Sequence, residues 1–290
     1  MGNDVKLLQW DIGAVKVVRV EEHVIPVPSD ELIPEMGKLI EKHSQWLKPW
    51  AVSENNEIRL SIHSFLVMSE NTKIIIDTCI GVSSQMPVPP AEDFPERLSE
   101  ALGASLESID VVLCTHLHMD HVGWNMRETN GESVPTFPNA RYLFSKEEIE
   151  QSGSDSENYD PTVMEPSVQP IIDLGLADFV ESDYEITSEV RLVPTPGHTP
   201  GHVSVLISSL GEEALITGDM THSPIQFAEP TLCSSFDWDT GMSTATREAI
   251  IDRFVDSDTL FLGTHFAPPT SGLLKSSETG VFFSVSESEF

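Results

Sequence analysis

Four side chains that bind transition metals stand within six positions in "HLHMDH": His116, His118, Asp120 and His121. Neutral imidazoles and carboxylates are the donors a zinc-like ion prefers. In an extended backbone alternate side chains point the same way, so His116 and His118 can face one cation. Asp120 and His121 follow as the chain turns and can face a second. Three later stretches carry the same donor types. "VPTPGHTPGH" holds His198 in a loop stiffened by Pro and Gly, "ALITGDM" places Asp219 after a Gly, and "LFLGTHFAPP" places His265. Together they complete two sites: His116, His118 and His198 for one metal, Asp120, His121 and His265 for the other, with Asp219 between. Each site keeps an open position for water, as catalytic sites do.

These donors need strand ends to hold them. "SIDVVLCT" reads as a short buried strand running into His116, "VRLVPT" leads to His198, "EALITGD" to Asp219, and "TLFLGT", read as the last strand, to His265. Upstream, "AVKVVRVEEHVI" (Ala14–Ile25) is a Val-rich first strand. "IRLSIHSFLVMSENTKIIIDT" reads as a hairpin turning at Glu70-Asn71-Thr72, and "ARYLFS" and "VSVLISS" are further strands. Helical patterns cover Glu35–Trp46, Phe94–Ser105, "KEEIEQSG" and "STATREAIIDRFVDS". The acidic stretch Ser152–Gln169 reads as a surface loop or cap. The stretches His63–Thr78 and His202–Asp219 resemble one another. Each is a hairpin ending in an Asp, followed by a helix and an apolar strand ending in Thr-His. Two equivalent halves would bring Asp77, His116, Asp219 and His265 to one edge of a two-sheet sandwich.

The chain of 290 residues is 39% hydrophobic, enough for a sizeable core. It reads as a single domain over 1–290 with an N-terminal excursion at about 26–56. Its 16 Lys+Arg against 47 Asp+Glu leave a net charge of −31, which repels phosphate backbones and argues against nucleic acid as a partner. Cys79, Cys114 and Cys233 are odd in number and scattered, the pattern of reduced thiols. The N-terminus has no basic region followed by an apolar one, and no apolar stretch reaches membrane-spanning length. A cytoplasmic protein with no membrane partner is the expectation.

The motif set resembles that of the metallo-β-lactamase superfamily. "THLHMDHVG" looks like its HxHxDH signature, "TPGHTPGH", "TGDM" and "GTHF" like its later ligand motifs, and "IIIDT" (Ile74–Thr78) like its early strand-Asp motif. The resemblance implies an αββα sandwich, two mixed sheets flanked by helices, with two Zn²⁺ or other divalent transition metals at one edge. Within the superfamily several branches fit poorly. The flavodiiron branch has Glu at the second His, and the best-known β-lactamases have Cys where this chain has Asp219. Nucleases expect basic surfaces. Glyoxalase II-like thioesterases share the ligands but bind glutathione through a basic C-terminal region, and here the tail after His265 has one Lys and no Arg; they remain a distant alternative.

What remains is similar to the N-acyl homoserine lactonases and their methyl-parathion-hydrolase-like relatives, through "WDIGAVKVVRVEE", "GWN", "TFPNARYLFSKEE" and "GDMTHSPIQF". The resemblance implies a dinuclear-zinc hydrolase that opens a lactone or cleaves an ester by attack of a metal-bridging hydroxide. A phosphotriesterase or aryl esterase is the alternative, and a homodimer is implied too. Asp219 would bridge the metals and Asp120 would shuttle a proton to the leaving group. The lactonases commonly place a Tyr three residues after the bridging Asp, where this chain has His222, a candidate donor to the substrate carbonyl. Asp77 either orients a ligand histidine or serves as a structural turn residue. Met86, Trp124, Ile225, Phe227, Trp238 and Phe266 are pocket-wall or core candidates. His23, His43, His63 and His202 are expected in structural or surface roles.

Overall fold

The computed structural model describes residues 7–81, 88–152, 156 and 159–285. Met86 lies outside the described residues. In chain order the strands are β1 (Gln9–Ile12), β2 (Val15–Pro28), β3 (Glu57–Ser69), β4 (Thr72–Ile76), β5 (Val111–Leu113), β6 (Met126–Thr129), β7 (Glu132–Pro135), β8 (Arg141–Ser145), β9 (Ala177–Val180), β10 (Val190–Pro194), β11 (Val203–Ser209), β12 (Glu212–Ile216), β13 (Leu260–Leu262), β14 (Ser271–Ser277) and β15 (Gly280–Ser284). Among the described residues, one mixed sheet runs β1-β2-β3-β4-β5-β8-β9 and a second runs β10-β11-β12-β13-β14-β15, with β6-β7 a separate hairpin.

Period-two patterning explains how the sheets stack. On β4, Ile74 and Ile76 face one way and Ile75 the other; on β12, Ala214 and Ile216 oppose Leu215. Ile74, Ile76, Ala214 and Ile216 join Phe65, Val67, Val203, Val205 and Ile207 in one apolar layer between the sheets. The opposite face of the first sheet packs Ile75, Leu66 and Val112 against Phe94 and Leu98 of the helix Phe94–Leu102. The opposite face of the second packs Leu206 and Leu215 against Ile250, Ile251 and Phe254 of the helix Thr240–Phe254. Three apolar layers bounded by helices make the fold an αββα sandwich.

The internal similarity has a structural counterpart. β3-β4 is antiparallel and β4-β5 parallel; β11-β12 is antiparallel and β12-β13 parallel. Asp77 and Asp219 therefore leave equivalent strands, and His116 and His265 follow equivalent neighbours.

Three readings need correction. β13 is not the last strand: β14 and β15 follow, paired from Leu273↔Ser284 to Ser277↔Gly280 across Glu278-Thr279. The 152–169 stretch is not simply a loop, because helical turns occupy Pro161–Val163 and Met164–Val168. Val163, Met164 and Val168 there are buried against the first core layer. The pattern at Glu35–Trp46 divides into a short turn at Met36–Lys38 and a helix at Ile40–Leu47. Its Met36, Ile40 and Leu47 enter the apolar layer outside the second sheet.

Candidate metal centre

The motif histidines sit beyond a strand rather than on it. β5 stops at Leu113, and His116 and His118 occupy the loop that follows, before the short helical turn Met119–Val122. His118 is still extended (φ −87°, ψ 159°), and its carbonyl accepts from the His121 N–H at 3.0 Å. A backbone ladder holds this loop against the one after β4. Thr78 N donates to His121 O at 2.7 Å, Gly123 N to Cys79 O at 2.8 Å, and Trp124 N to Thr78 O at 3.0 Å. The contact is so close that a Cβ on Gly123 would lie 1.6 Å from the Ile80 carbonyl oxygen.

The structure brings the predicted donors together. Ligand atoms of His116, His118, His198 and Asp219 lie within 4.8 Å of one another, as do those of Asp120, His121 and His265. His222 forms a third such group with Asp219 and His265. Asp219 Oδ2 is the hub. His265 Nε2 stands 3.1 Å from it, His222 Nε2 3.2 Å, His121 Nε2 3.3 Å, His198 Nε2 3.4 Å and His116 Nε2 3.7 Å. His118 Nδ1 and His198 Nε2 are 2.9 Å apart. All but His118 and Asp120 are nearly fully buried.

The outer ring nitrogens show why so many lone pairs converge. His121 Nδ1–H donates to Asp77 Oδ2 at 2.9 Å, His198 Nδ1–H to Asp237 Oδ1 at 3.0 Å, and His265 Nδ1–H to the Ser61 carbonyl at 2.8 Å. His116 Nδ1 lies 3.1 Å from Thr115 Oγ1, which itself donates to Asp77 Oδ2. Each outward N–H leaves Nε2 as the inward lone pair, the arrangement that metal-binding histidines use. His116 Nε2, His121 Nε2 and Asp219 Oδ1 are buried with no hydrogen-bond partner. Buried polar atoms rarely go unpaired, so an electron-rich cluster of this kind fits a cation.

The electrostatics of these side chains reflect the same crowding. Burial pulls the His121 imidazole down, yet Asp219, Asp120 and Asp77 together hold it well above the usual histidine range. Burial dominates at His198 and drives its pKa down to about 3. Asp219 is held well below the carboxylate range, because His121, His265 and His222 outweigh the burial that opposes its charge.

Several positioning groups were not singled out in the sequence. Asp237 meets His198. Glu148 is buried, and its Oε1 accepts from Leu117 N at 3.1 Å while Oε2 accepts from Gly201 N at 3.0 Å, tying the first histidine loop to the His198 loop. Glu22 is the extra residue of a bulge in β2, which turns its carboxylate inward to accept from Ile80 N, Ala91 N and Trp124 Nε1. Gln226 Oε1 accepts from the His222 N–H at 2.7 Å and fixes that turn. His202, expected to be structural, accepts from Asp219 N at Nε2 (2.7 Å), and its Nδ1–H reaches Thr195 O at 3.0 Å. A Cβ on Gly218 would lie 2.5 Å from His202 Nε2, so this close approach requires glycine.

The cluster forms the floor of a cavity of about 680 Å³. Its walls include Leu32, Leu60, Met119, Val163, Met164, Phe236 and Trp238, with Glu148 and Asp160 the acidic groups away from the floor. No Lys or Arg lines it among the described residues. Of the wall candidates only Trp238 lies there; Trp124, Ile225, Phe227 and Phe266 are buried in the core layers. Cys79 and Cys114 are buried and free, and Cys233 is half-buried and free.

A curated N-acyl homoserine lactonase of Bacillus cereus is 24% identical over 212 residues, covering 68% of this chain and 78% of the relative. One from a Bacillus species is 26% identical over 204 residues, covering 65% and 75%. Among solved structures, the dizinc quorum-quenching lactonase AidC superposes with a TM-score of 0.79 at 20% identity, over 97% of both chains. The hydrolase AbOPH of the beta lactamase superfamily superposes with a TM-score of 0.79 at 22% identity, over 97% of this chain and 98% of its own. The sequence model of the metallo-beta-lactamase superfamily matches residues 58–274, which span every histidine and aspartate of the cluster. The chain belongs to the metallo-beta-lactamase superfamily and is a metal-dependent hydrolase.

Proposed function

We propose that this hydrolase opens a lactone or cleaves an ester of a neutral small molecule at a pair of divalent zinc-like ions. The observation that carries the reading is the convergence of inward imidazole lone pairs on Asp219 at the floor of an apolar cavity. His116, His118 and His198 would hold one ion and Asp120, His121 and His265 the other, with Asp219 between them. Bound ions would supply Lewis acidity and a water activated near neutral pH.

The chain's own groups supply the rest. Asp77, Asp237 and the Ser61 carbonyl keep three imidazoles in the tautomer that presents Nε2 inward. Asp120 lines the cavity and would pass a proton to a leaving oxygen. His222 has a different task. Its Nε2 lies 3.2 Å from Asp219 Oδ2, while its Nδ1 is buried with no partner. Nothing on its outer side fixes its tautomer, so its ring can carry the inward proton and donate to a substrate oxygen. Apolar walls with no cationic side chain among the described residues suit an uncharged substrate with an acyl or aryl substituent. The named lactonases among the relatives support the lactone over the other esters.

The test is kcat/KM for acyl homoserine lactones, aryl esters, phosphotriesters and a glutathione thioester on zinc-loaded protein, with metal counted by elemental analysis. Lactones or carboxylic esters should lead the series with two ions per chain. Asp219→Ala should lower turnover by orders of magnitude. Leading phosphotriester turnover would move the assignment to the alternative chemistry, and full activity in Asp219→Ala would refute the site.

A further inference from the structure

Arg247 lies on the inward face of the helix Thr240–Phe254, in line with Ser243, Ile250, Ile251 and Phe254, and it is fully buried. In a chain with 16 Lys+Arg against 47 Asp+Glu, a cation with no solvent contact calls for a reason. Stability alone is a poor one. Removing a guanidinium from water is costly, and well-packed apolar residues often replace a buried ion pair without loss.

Its partners point elsewhere. Nη1 donates to the Met220 carbonyl at 3.0 Å, on the residue after Asp219. Nε donates to the Pro230 carbonyl and Nη2 to Cys233 Sγ, both at 2.9 Å. Nη1 also stands 3.6 Å from Asp237 Oδ2, whose other oxygen accepts from His198 Nδ1. The same helix fastens the His198 loop directly: Thr246 Oγ1 donates to Pro196 O at 2.6 Å, and a Cβ on Gly197 would lie 2.4 Å from Ser243 N. One planar donor set thus spans the loop carrying Asp219 and the carboxylate that aims His198. A guanidinium keeps its donors at fixed angles, which an ammonium does not.

We infer that Arg247 is a positioning residue that sets the spacing and orientation of His198 relative to Asp219, and thereby the affinity of the ion those two share. The inference rests on the metal-centre reading above. It is distinct from a packing role because its effect falls on one group of ligands, His116, His118, His198 and Asp219, more than on Asp120, His121 and His265.

The test is zinc affinity by competition with a chromophoric chelator, and the visible spectrum of the cobalt(II)-substituted protein, for wild type, Arg247→Lys, Arg247→Met and the double variant Asp237→Asn/Arg247→Met. The double variant removes both buried charges while Asn still offers His198 an oxygen, so it guards against misfolding of Arg247→Met. Positioning predicts that one of the two affinities falls about 10–100-fold in the folded Met variants, as loss of a ligand's supporting partner usually does. Arg247→Lys should fall between, and the cobalt spectrum should change. Folded variants, by near-ultraviolet circular dichroism, with both affinities and the spectrum of wild type would overturn the inference. Equal weakening of both ions would overturn it too, as the mark of general loosening. A wild-type chain that binds no ion would refute the metal-centre reading and the inference with it.

Discussion

Replacing Glu148 by Ala should loosen both histidine loops at once. The carboxylate is 2% exposed and accepts two backbone N–H groups, Leu117 at 3.1 Å and Gly201 at 3.0 Å. Hydrogen bonds to a charged acceptor contribute about 1.5–3 kcal/mol each, so the pair stands at about 3–6 kcal/mol. Burial offsets part of that, since it has pushed the Glu148 pKa above the usual glutamate value despite the bonds from Leu117 and Gly201. A loss of about 3 kcal/mol is therefore expected in urea unfolding of metal-free protein. Glu148→Gln keeps one acceptor but turns an amide N–H₂ toward the second donor, so about half that loss should remain. Leu117 sits between His116 and His118, so zinc affinity should also fall, by about 10-fold. Unfolding within about 0.5 kcal/mol of wild type, the range of ordinary surface substitutions, together with unchanged zinc affinity, would refute the reasoning.

Three more outcomes follow from the same geometry. Gly123→Ala puts a methyl 1.6 Å from the Ile80 carbonyl oxygen, which must part the ladder between the two loops; a loss of about 3 kcal/mol or more is expected by chemical denaturation. His202 is pushed down to about 4 by burial, so its neutral form is native and the unfolded chain binds the extra proton between the two pKa values. Its contribution is present above pH 6.5 and is lost as pH falls toward 4, by about 3 kcal/mol in all; His202→Gln should flatten that part of the metal-free protein's stability–pH curve. His222→Phe should lower kcat for the best ester substrate by about 10²-fold, the scale for losing one donor to a developing oxyanion. Zinc affinity in that variant should stay within a few-fold of wild type, and a large drop would make His222 a ligand rather than a donor.

The donor cluster of the candidate metal centre was legible because its residues announce themselves locally. "HLHMDH" concentrates donors in six positions, and the later donors each follow a short apolar strand. A continuous apolar run such as Ile74-Ile75-Ile76 disclosed a strand buried on both faces. The supporting groups were hidden for a physical reason: their partners are far away in the chain. Glu22 reaches Ile80 and Trp124, Asp237 reaches His198, and Glu148 joins Leu117 to Gly201. An isolated acid at such a position looks like any other of the 47. Two further local signals are present in the sequence. Arg247 interrupts an inward stripe at helical spacing, which marks a buried cation. Glu278-Thr279-Gly280 between "LLKSS" and "VFFSV" marks a hairpin, with Gly280 at φ 117°.

The duplicated arrangement of strands has a mechanical consequence. The first half supplies His116, His118, Asp120 and His121; the second supplies His198, Asp219 and His265. On the proposed assignment, neither half would carry a full ligand set for either ion. An ion bound at the seam would therefore recognise only the docked pair, and its binding energy would add to the cohesion between halves rather than to either half alone. Where no ion contributes, the seam near the site relies on contacts such as the reciprocal clasp of Ser61 N to His265 O and His265 Nδ1 to Ser61 O. Metal supply would then act on this protein as a fastener, setting how often the two halves part as well as how fast the site turns over.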